Sequence, residues 1–189
     1  MARDAGVEMP ETHLFRTKKN RYFGARRFDR DGDVRIHMHS IGGLLHSDHR
    51  TPSLDYNDVL SVTMGLTKNI KDVEKVYALA CFNVLGHNRD DHSKNFSFIL
   101  NARNEWVFAP AYDLVFSFGI GGEQSTMVMR NGKNPGASEL QAMGKKHSLK
   151  NAAPILARVQ LAVSRWSRYA GHAGVSAKSA KAIADKLRR

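Results

Sequence analysis

Asp90 and Asn95 stand five residues apart in the polar stretch HNRDDHSKN, residues 87–95, and Asp113 follows 18 residues after Asn95. These residue types suit phosphoryl transfer. That chemistry needs a carboxylate to orient an attacking hydroxyl and accept its proton. It needs oxygen ligands for Mg2+ and a cation to meet the phosphate charge. Asp90 is the candidate base, and Asn95 and Asp113 are candidate metal ligands. His92, two residues after Asp90, stands where a phosphate-contacting cation would serve. Asp90, Asp91, His92, Lys94 and Asn95 fall within six positions. Such crowding costs desolvation and repulsion unless a function or a partner offsets it. The plainer reading is that these Asp and Asn residues satisfy backbone groups at a helix end and in turns.

The segments on either side must hold this stretch. Val73, Val76, Tyr77, Ala80 and Val84 recur at helical spacing, so residues 71–86 read as a helix that buries one face and stops at Gly86. FSFIL (96–100) and EWVFA (105–109), joined by NARN, read as a hairpin. A hairpin returns the chain near its start, so Asp113 can face Asn95 across one metal. The D-x-x-x-x-N spacing of Asp90 and Asn95 is that of a protein-kinase catalytic loop.

Upstream, YFGARRF (22–28) and VRIHM (34–38) flank the turn signal Asp31-Gly32 and read as a further hairpin. Ser40 is placed to cap a short helix over 41–46, and Asp55 to cap one over 56–66. Residues 114–136 contain Gly119, Gly121, Gly122, Gly132 and Gly136, which predicts a long mobile loop, either a connector or, as its place after Asp113 favours, a segment of the activation type. Helical patterns follow over 137–146, 151–170 and 176–188. The fold class expected is α+β, mostly helical.

Composition narrows the function classes. The 189 residues suffice for one domain with a core, and 42% hydrophobic with 25% charged residues excludes a disordered chain. No apolar run reaches the roughly 20 residues that span a bilayer, and the first residues, MARDAGVEMPETH, lack a signal-peptide core. The single cysteine, Cys81, cannot form an internal disulfide, so a cytoplasmic setting without membrane partners is expected. The net charge of +11 is uneven. Residues 1–129 hold 16 Lys/Arg and 16 Asp/Glu, whereas residues 130–189 hold 13 Lys/Arg against Glu139 and Asp185. Such a segment is either a solvated helical surface or a docking surface for anionic partners such as DNA.

HNRDDHSKNFSFIL followed by WVFAPAYDLVFS resembles the signature N-x-D-x-H-x-K-N-F-S…P-x-Y-D-x-x-S of the HipA-like serine/threonine kinases. RYFGARRFDRDGDVRIHMHSIGGLL resembles the hinge strand of that family and the segment after it, and DAGVEMPETHLF resembles the stretch before the hinge. The motifs cover residues 4–118. The resemblance implies a protein-kinase-like C-lobe with a short hinge hairpin and a catalytic-loop hairpin. Residues 1–39 would form the hinge region, 40–118 the catalytic core, and 119–189 a loop plus basic helical tail. Asp90 would be the catalytic base, and Asn95 and Asp113 the Mg2+ ligands. His92, Ser93, Lys94 and Tyr112 would line the triphosphate of ATP, and Arg26, Arg27 and Phe28 would form the hinge against adenine. The family often carries Glu where Arg26 stands, which makes this pocket more basic. Asp91 receives no catalytic role.

One expected part is absent from the sequence. No Gly-rich phosphate loop or strand lysine precedes the hinge, and GGLL (42–45) and GIGG (119–122) lack a strand–loop–helix frame. The resemblance therefore implies a truncated or split kinase lacking its N-lobe, with a separately encoded N-lobe as a possible partner. Its family would make it the toxin of a toxin–antitoxin pair, with a helix-turn-helix antitoxin as partner and a protein substrate such as an aminoacyl-tRNA synthetase. The rival reading is an inactive C-lobe remnant, a basic binding module for antitoxin or nucleic acid. His37, His39, His46 and His49 could be read as a metal site, but no cysteine or carboxylate stands at zinc spacing, so they read as structural. Cys81, Trp106 and Trp166 read as core or pocket-wall residues.

Overall fold

The computed structural model describes residues 1–48 and 53–187. His49 lies outside the described residues. The chain opens with an antiparallel hairpin, β1 (Thr12–Arg16) and β2 (Arg21–Ala25), in which Thr12 faces Ala25 and Arg16 faces Arg21. A second small hairpin pairs β3 (Arg30–Asp31) with β4 (Val34–Arg35). The Asp31-Gly32 turn is thus real, but 22–28 does not pair with 34–38. Tyr22 and Phe23 instead pair backward with Phe15 and Leu14. β1 escaped the sequence reading because THLFR offers its apolar side chains to no buried face; Phe15, Tyr22 and Phe23 are all exposed.

A three-stranded antiparallel sheet is built from β5 (Met38–Ser40), β7 (Ser97–Leu100) and β8 (Trp106–Phe108), with β7 central. Phe98 and Phe108 face each other across β7 and β8, both buried, with ring centroids 5.6 Å apart. Ser40 ends β5 and caps α1 (Ile41–Leu44) by accepting from the Gly43 amide at 3.2 Å. After β6 (Leu54–Asp55) come α2 (Tyr56–Thr67) and α3 (Ile70–Leu85).

α3 is the axle of the domain. Ten of its 16 residues are buried, among them Val73, Val76, Tyr77 and Ala80, as its periodicity predicts. α2, α4 (Ala137–Lys146) and α5 (Ala152–Ser164) pack around it. Each fully buried Val or Leu contributes roughly 1.5–3 kcal/mol. Cys81 is buried in this core, its thiol pushed up to about 12 by desolvation, so it is inert.

The segment expected to be one long helix over 151–170 is broken. α5 ends at Ser164 and α6 (Trp166–Ala173) begins after Arg165; α7 (Ala177–Leu187) follows the left-handed Gly174. The 114–136 segment is not a bare loop either. It contains a 3-10 turn, Ile120–Gly122, and strand β9 (Thr126–Met127), which runs parallel to β6.

Asp55 joins these parts. Its carboxylate caps α2 through the Asn57 amide at 2.8 Å and accepts from the Arg130 amide at 2.6 Å. Met129 and Arg130 form a two-residue turn with φ of 52° and 65°, a conformation that costs energy at non-glycine residues. The Asp55 bond offsets part of that cost. Asp55→Ala is expected to lower stability by about 2 kcal/mol. Asp55→Asn, which keeps one capping oxygen, is expected to lose less. Urea unfolding of the two variants checks this; equal losses would contradict the capping account.

Candidate active site

The 88–95 loop begins where α3 ends, and the ending aims it. The Asn88 amide bonds back to the Asn83 carbonyl at 2.8 Å and the His87 amide to the Val84 carbonyl at 3.3 Å. This paired closure puts its left-handed residue at His87, with φ of 58°, one residue beyond Gly86. His87 is held there by its neighbours. Its ring stacks on Phe116 at 5.0 Å, and its Nδ1 lies 2.9 Å from the Ser117 carbonyl. The far end of the loop is the 3-10 turn Ser93–Asn95, which runs into β7.

Asn95 is the junction of the site. Its Nδ2 donates to the Asp90 carbonyl at 3.2 Å and to Asp113 Oδ2 at 3.5 Å. The β7–β8 hairpin therefore brings Asp113 back to Asn95. Asp113 has φ of 55° and an exposed side chain. Asp tolerates this region better than most residues, and strained backbone is common where a side chain must be re-aimed. Asp90 is exposed, whereas its neighbour Asp91 is fully buried.

Tyr112 braces the loop. Its hydroxyl donates to the Lys94 carbonyl at 2.5 Å and lies 2.6 Å from Ser97 Oγ; burial raises its pKa. Its ring lies 5.6 Å from that of Phe28, which links the expected hinge to the loop. Arg26 and Arg27 are exposed beside it. The Arg27 guanidinium forms a bidentate pair with Asp29 at 2.8 and 2.6 Å. With Arg30 also on Asp29, that carboxyl is held down at about 2. Arg26 contributes its backbone amide to the Glu11 carbonyl at 2.8 Å.

The other expected phosphate-lining residues divide. Lys94 is exposed and His92 half-buried. Ser93 is buried, and its hydroxyl points the other way, to the Ser47 carbonyl at 3.3 Å. Asp90, Asn95, Asp113 and Tyr112 are thus brought together, Phe28 adjoins them through Tyr112, and the Ser93 hydroxyl is turned from them. Asn95 Oδ1 and the Asp113 carboxylate are the hard oxygen donors that Mg2+ accepts, with remaining positions for water and phosphate oxygens. Among the described residues no group of three His, Cys, Asp or Glu side chains could hold a metal. His37 packs on Trp106 at 5.3 Å, and the His39 ring covers Gly43.

Sequence reasoning missed the residues that hold the loop from behind. The Asp91 carboxylate accepts from the Tyr56 hydroxyl at 2.7 Å, Gln124 Nε2 at 3.0 Å, and the Ser125 and Thr126 amides at 3.1 and 3.2 Å. Burial nevertheless pushes the Asp91 carboxyl up to about 7 and the Tyr56 hydroxyl well above its ordinary value. The one available signal was the second carboxylate beside Asp90. Behind Asp113 lies a largely apolar cavity of about 500 Å3, lined by Met9, Phe23, Phe82, Phe116, Trp166 and Leu187 among others.

The family model described as the HipA-like C-terminal domain matches residues 1–189. Among solved structures, HipA of the Shewanella oneidensis MR-1 toxin–antitoxin system, in a complex with HipB and its operator DNA, is similar with a TM-score of 0.74. Identity is 16%, over 98% of this chain and 50% of that one. The Helicobacter pylori proinflammatory kinase CtkA is similar with a TM-score of 0.50 and 12% identity, over 86% of this chain and 68% of that one. At such identities the likeness is one of fold, and this chain spans half the length of that HipA chain. Comparison with curated proteins finds no match. The mixed helix-and-sheet architecture, the motif and the family match over the whole chain agree: this protein belongs to the family of HipA-like C-terminal domains.

Proposed function

We propose that this chain is the catalytic lobe of a kinase that transfers a phosphoryl group from ATP to a protein serine or threonine. The observation that carries the reading is the Asn95 amide, which touches both the Asp90 backbone and the Asp113 carboxylate. In this reading the exposed Asp90 carboxylate orients the substrate hydroxyl and takes its proton as the O–P bond to the γ-phosphorus forms and the bond to the β–γ bridging oxygen breaks, with ADP as the leaving group. Asn95 and Asp113 would hold Mg2+, which would supply charge neutralisation for the transferring phosphate. Lys94 and His92 meet the phosphates, with Tyr112 and Ser93 shaping the loop beneath them. Phe28 and the Arg26–Arg27 backbone form the adenine side.

The fold likeness to HipA extends the proposal to a cytoplasmic toxin restrained by a helix-turn-helix antitoxin, with a translation enzyme such as an aminoacyl-tRNA synthetase as substrate. A Gly-rich loop and lysine would come from an N-lobe. The β1–β2 hairpin offers that lobe a sheet edge and the exposed Phe15, Tyr22 and Phe23.

The test supplies an N-lobe of the family to this chain and follows transfer of labelled γ-phosphate. Turnover by the chain alone is expected to be weak, and the reconstituted pair faster. Asp90→Asn in the pair is expected to lower kcat at least about 100-fold. Asp113→Asn is expected to raise the Mg2+ concentration needed for half-maximal rate. An Asp90→Asn pair as fast as the unmodified pair overturns the reading.

A second reading rests on the basic tail. Lys145, Lys146 and Lys150 are exposed around the end of α4, and none has a salt bridge among the described residues. In this reading the domain docks on DNA or on an acidic antitoxin surface. Each phosphate contact on duplex DNA should add a log–log salt slope near −0.9, by counterion release. Changing the three lysines to Ala is expected to flatten the slope of duplex binding. A slope that the substitutions leave unchanged returns the segment to a solvated surface.

A further inference from the structure

Three residues of the loop, Asn88, Arg89 and Asp91, are bonded to three consecutive residues, 124–126, of the segment that follows the site. The Asn88 carbonyl accepts from Gln124 Nε2 at 3.0 Å. The Arg89 carbonyl accepts from Ser125 Oγ at 2.9 Å and from the Ser125 amide at 3.3 Å. Asp91 takes the Ser125 and Thr126 amides on Oδ1, and its own carbonyl accepts from the Thr126 hydroxyl. A chain of side chains backs this seam. Asn88 Nδ2 donates to Asn83 Oδ1 at 3.0 Å, and Asn83 Nδ2 donates to the Tyr56 hydroxyl at 2.9 Å. Tyr56 in turn donates to Asp91. Asn83, Asn88, Asp91, Gln124 and Thr126 are all buried.

We propose that Asp91 is a positioning residue that locks the 88–95 loop and the 124–126 segment into one unit, so that displacing the segment unseats Asp90 and Asn95. This deepens the kinase reading and rests on it for the roles of Asp90 and Asn95. The physical ground is that a buried network is stable only when whole. Breaking one contact strands donors that cannot reach water, so the two segments stay joined or part together. Asp90 is one peptide from Asp91, so its Cα is tied to the lock at about 3.8 Å.

Hydrogen exchange and Mn2+ binding test the proposal on the full chain. Asp91→Asn keeps the volume and puts an amide donor against one of the existing donors. Gln124→Met removes the amide that bonds both the Asn88 carbonyl and Asp91, and Tyr56→Phe removes the hydroxyl between Asn83 and Asp91, which keeps the test open where Asp91→Asn does not fold. Each variant is expected to speed exchange in peptides over 88–95 and 123–128 together, with α5 unchanged. Mn2+ is the metal probe for Asn95 and Asp113. Its affinity is expected to fall about 10-fold in Asp91→Asn, as for outer-shell partners of metal ligands. Exchange that rises in one segment only, or equally across the domain, overturns the proposal. So does unchanged Mn2+ affinity in a variant whose exchange has risen. An unmodified chain that binds no Mn2+ would reject the metal reading of Asn95 and Asp113, while the exchange pattern still decides the lock.

Discussion

A carboxylate with no exposure to water holds the working end of this domain together. Burying Asp91 is unfavourable by itself, and its raised pKa records that. Four donors from α2, from β9 and from the residues just before it offset the cost. Those donors would otherwise be unsatisfied, since a buried amide without a partner loses roughly 1–3 kcal/mol. The arrangement is therefore mutual: Asp91 requires the 124–126 segment, and the segment requires Asp91. Asp90, one residue earlier, is exposed.

The sequence made part of this visible. That Asn95 and Asp113 come together was legible because the hairpin between 96 and 109 is strongly patterned. α3 was legible because its buried face repeats. Asp91 was not, since its partners lie 33 to 35 residues ahead and 35 behind. No local pattern encodes contacts of that range. The β1–β2 pairing was missed for a different reason. Its aromatic residues are exposed, so the rule that apolar alternation marks a buried face had nothing to detect. The break at Arg165 was hidden because residues on both sides favour helix and no Pro or Gly marks it.

Four of the eight non-glycine residues with positive φ among the described residues lie along the same path. His87, Asp113, Met129 and Arg130 all have positive φ without being glycine. They mark where the chain enters the loop, where it returns to Asn95, and where it turns after β9. Three of them have a local restraint: the Ser117 carbonyl and Phe116 for His87, Asn95 for Asp113, Asp55 for Arg130. Glycine is kept for a case of another kind. At Gly119 a Cβ would stand 2.1 Å from the Glu123 carbonyl oxygen and 2.8 Å from Arg89 Cβ, so only glycine lets this segment close against the loop.

The Asp113 segment has two faces, and they are subject to different forces. One face meets Asn95 through a polar contact at 3.5 Å, long for a hydrogen bond and weak in itself. The other forms a wall of the apolar cavity that α6 and α7 help to line through Trp166, Ile183 and Leu187. Trp166 ties these helices together by donating to the Ala180 carbonyl at 2.9 Å, and Lys186 lies 5.8 Å from the Phe118 ring centroid. Dispersion falls off steeply with small gaps, so the position of such a wall depends on what fills the space behind it. The last two helices therefore bear on the site by packing. The Asn95 contact orients Asp113, and the apolar side behind it sets how firmly that orientation is held.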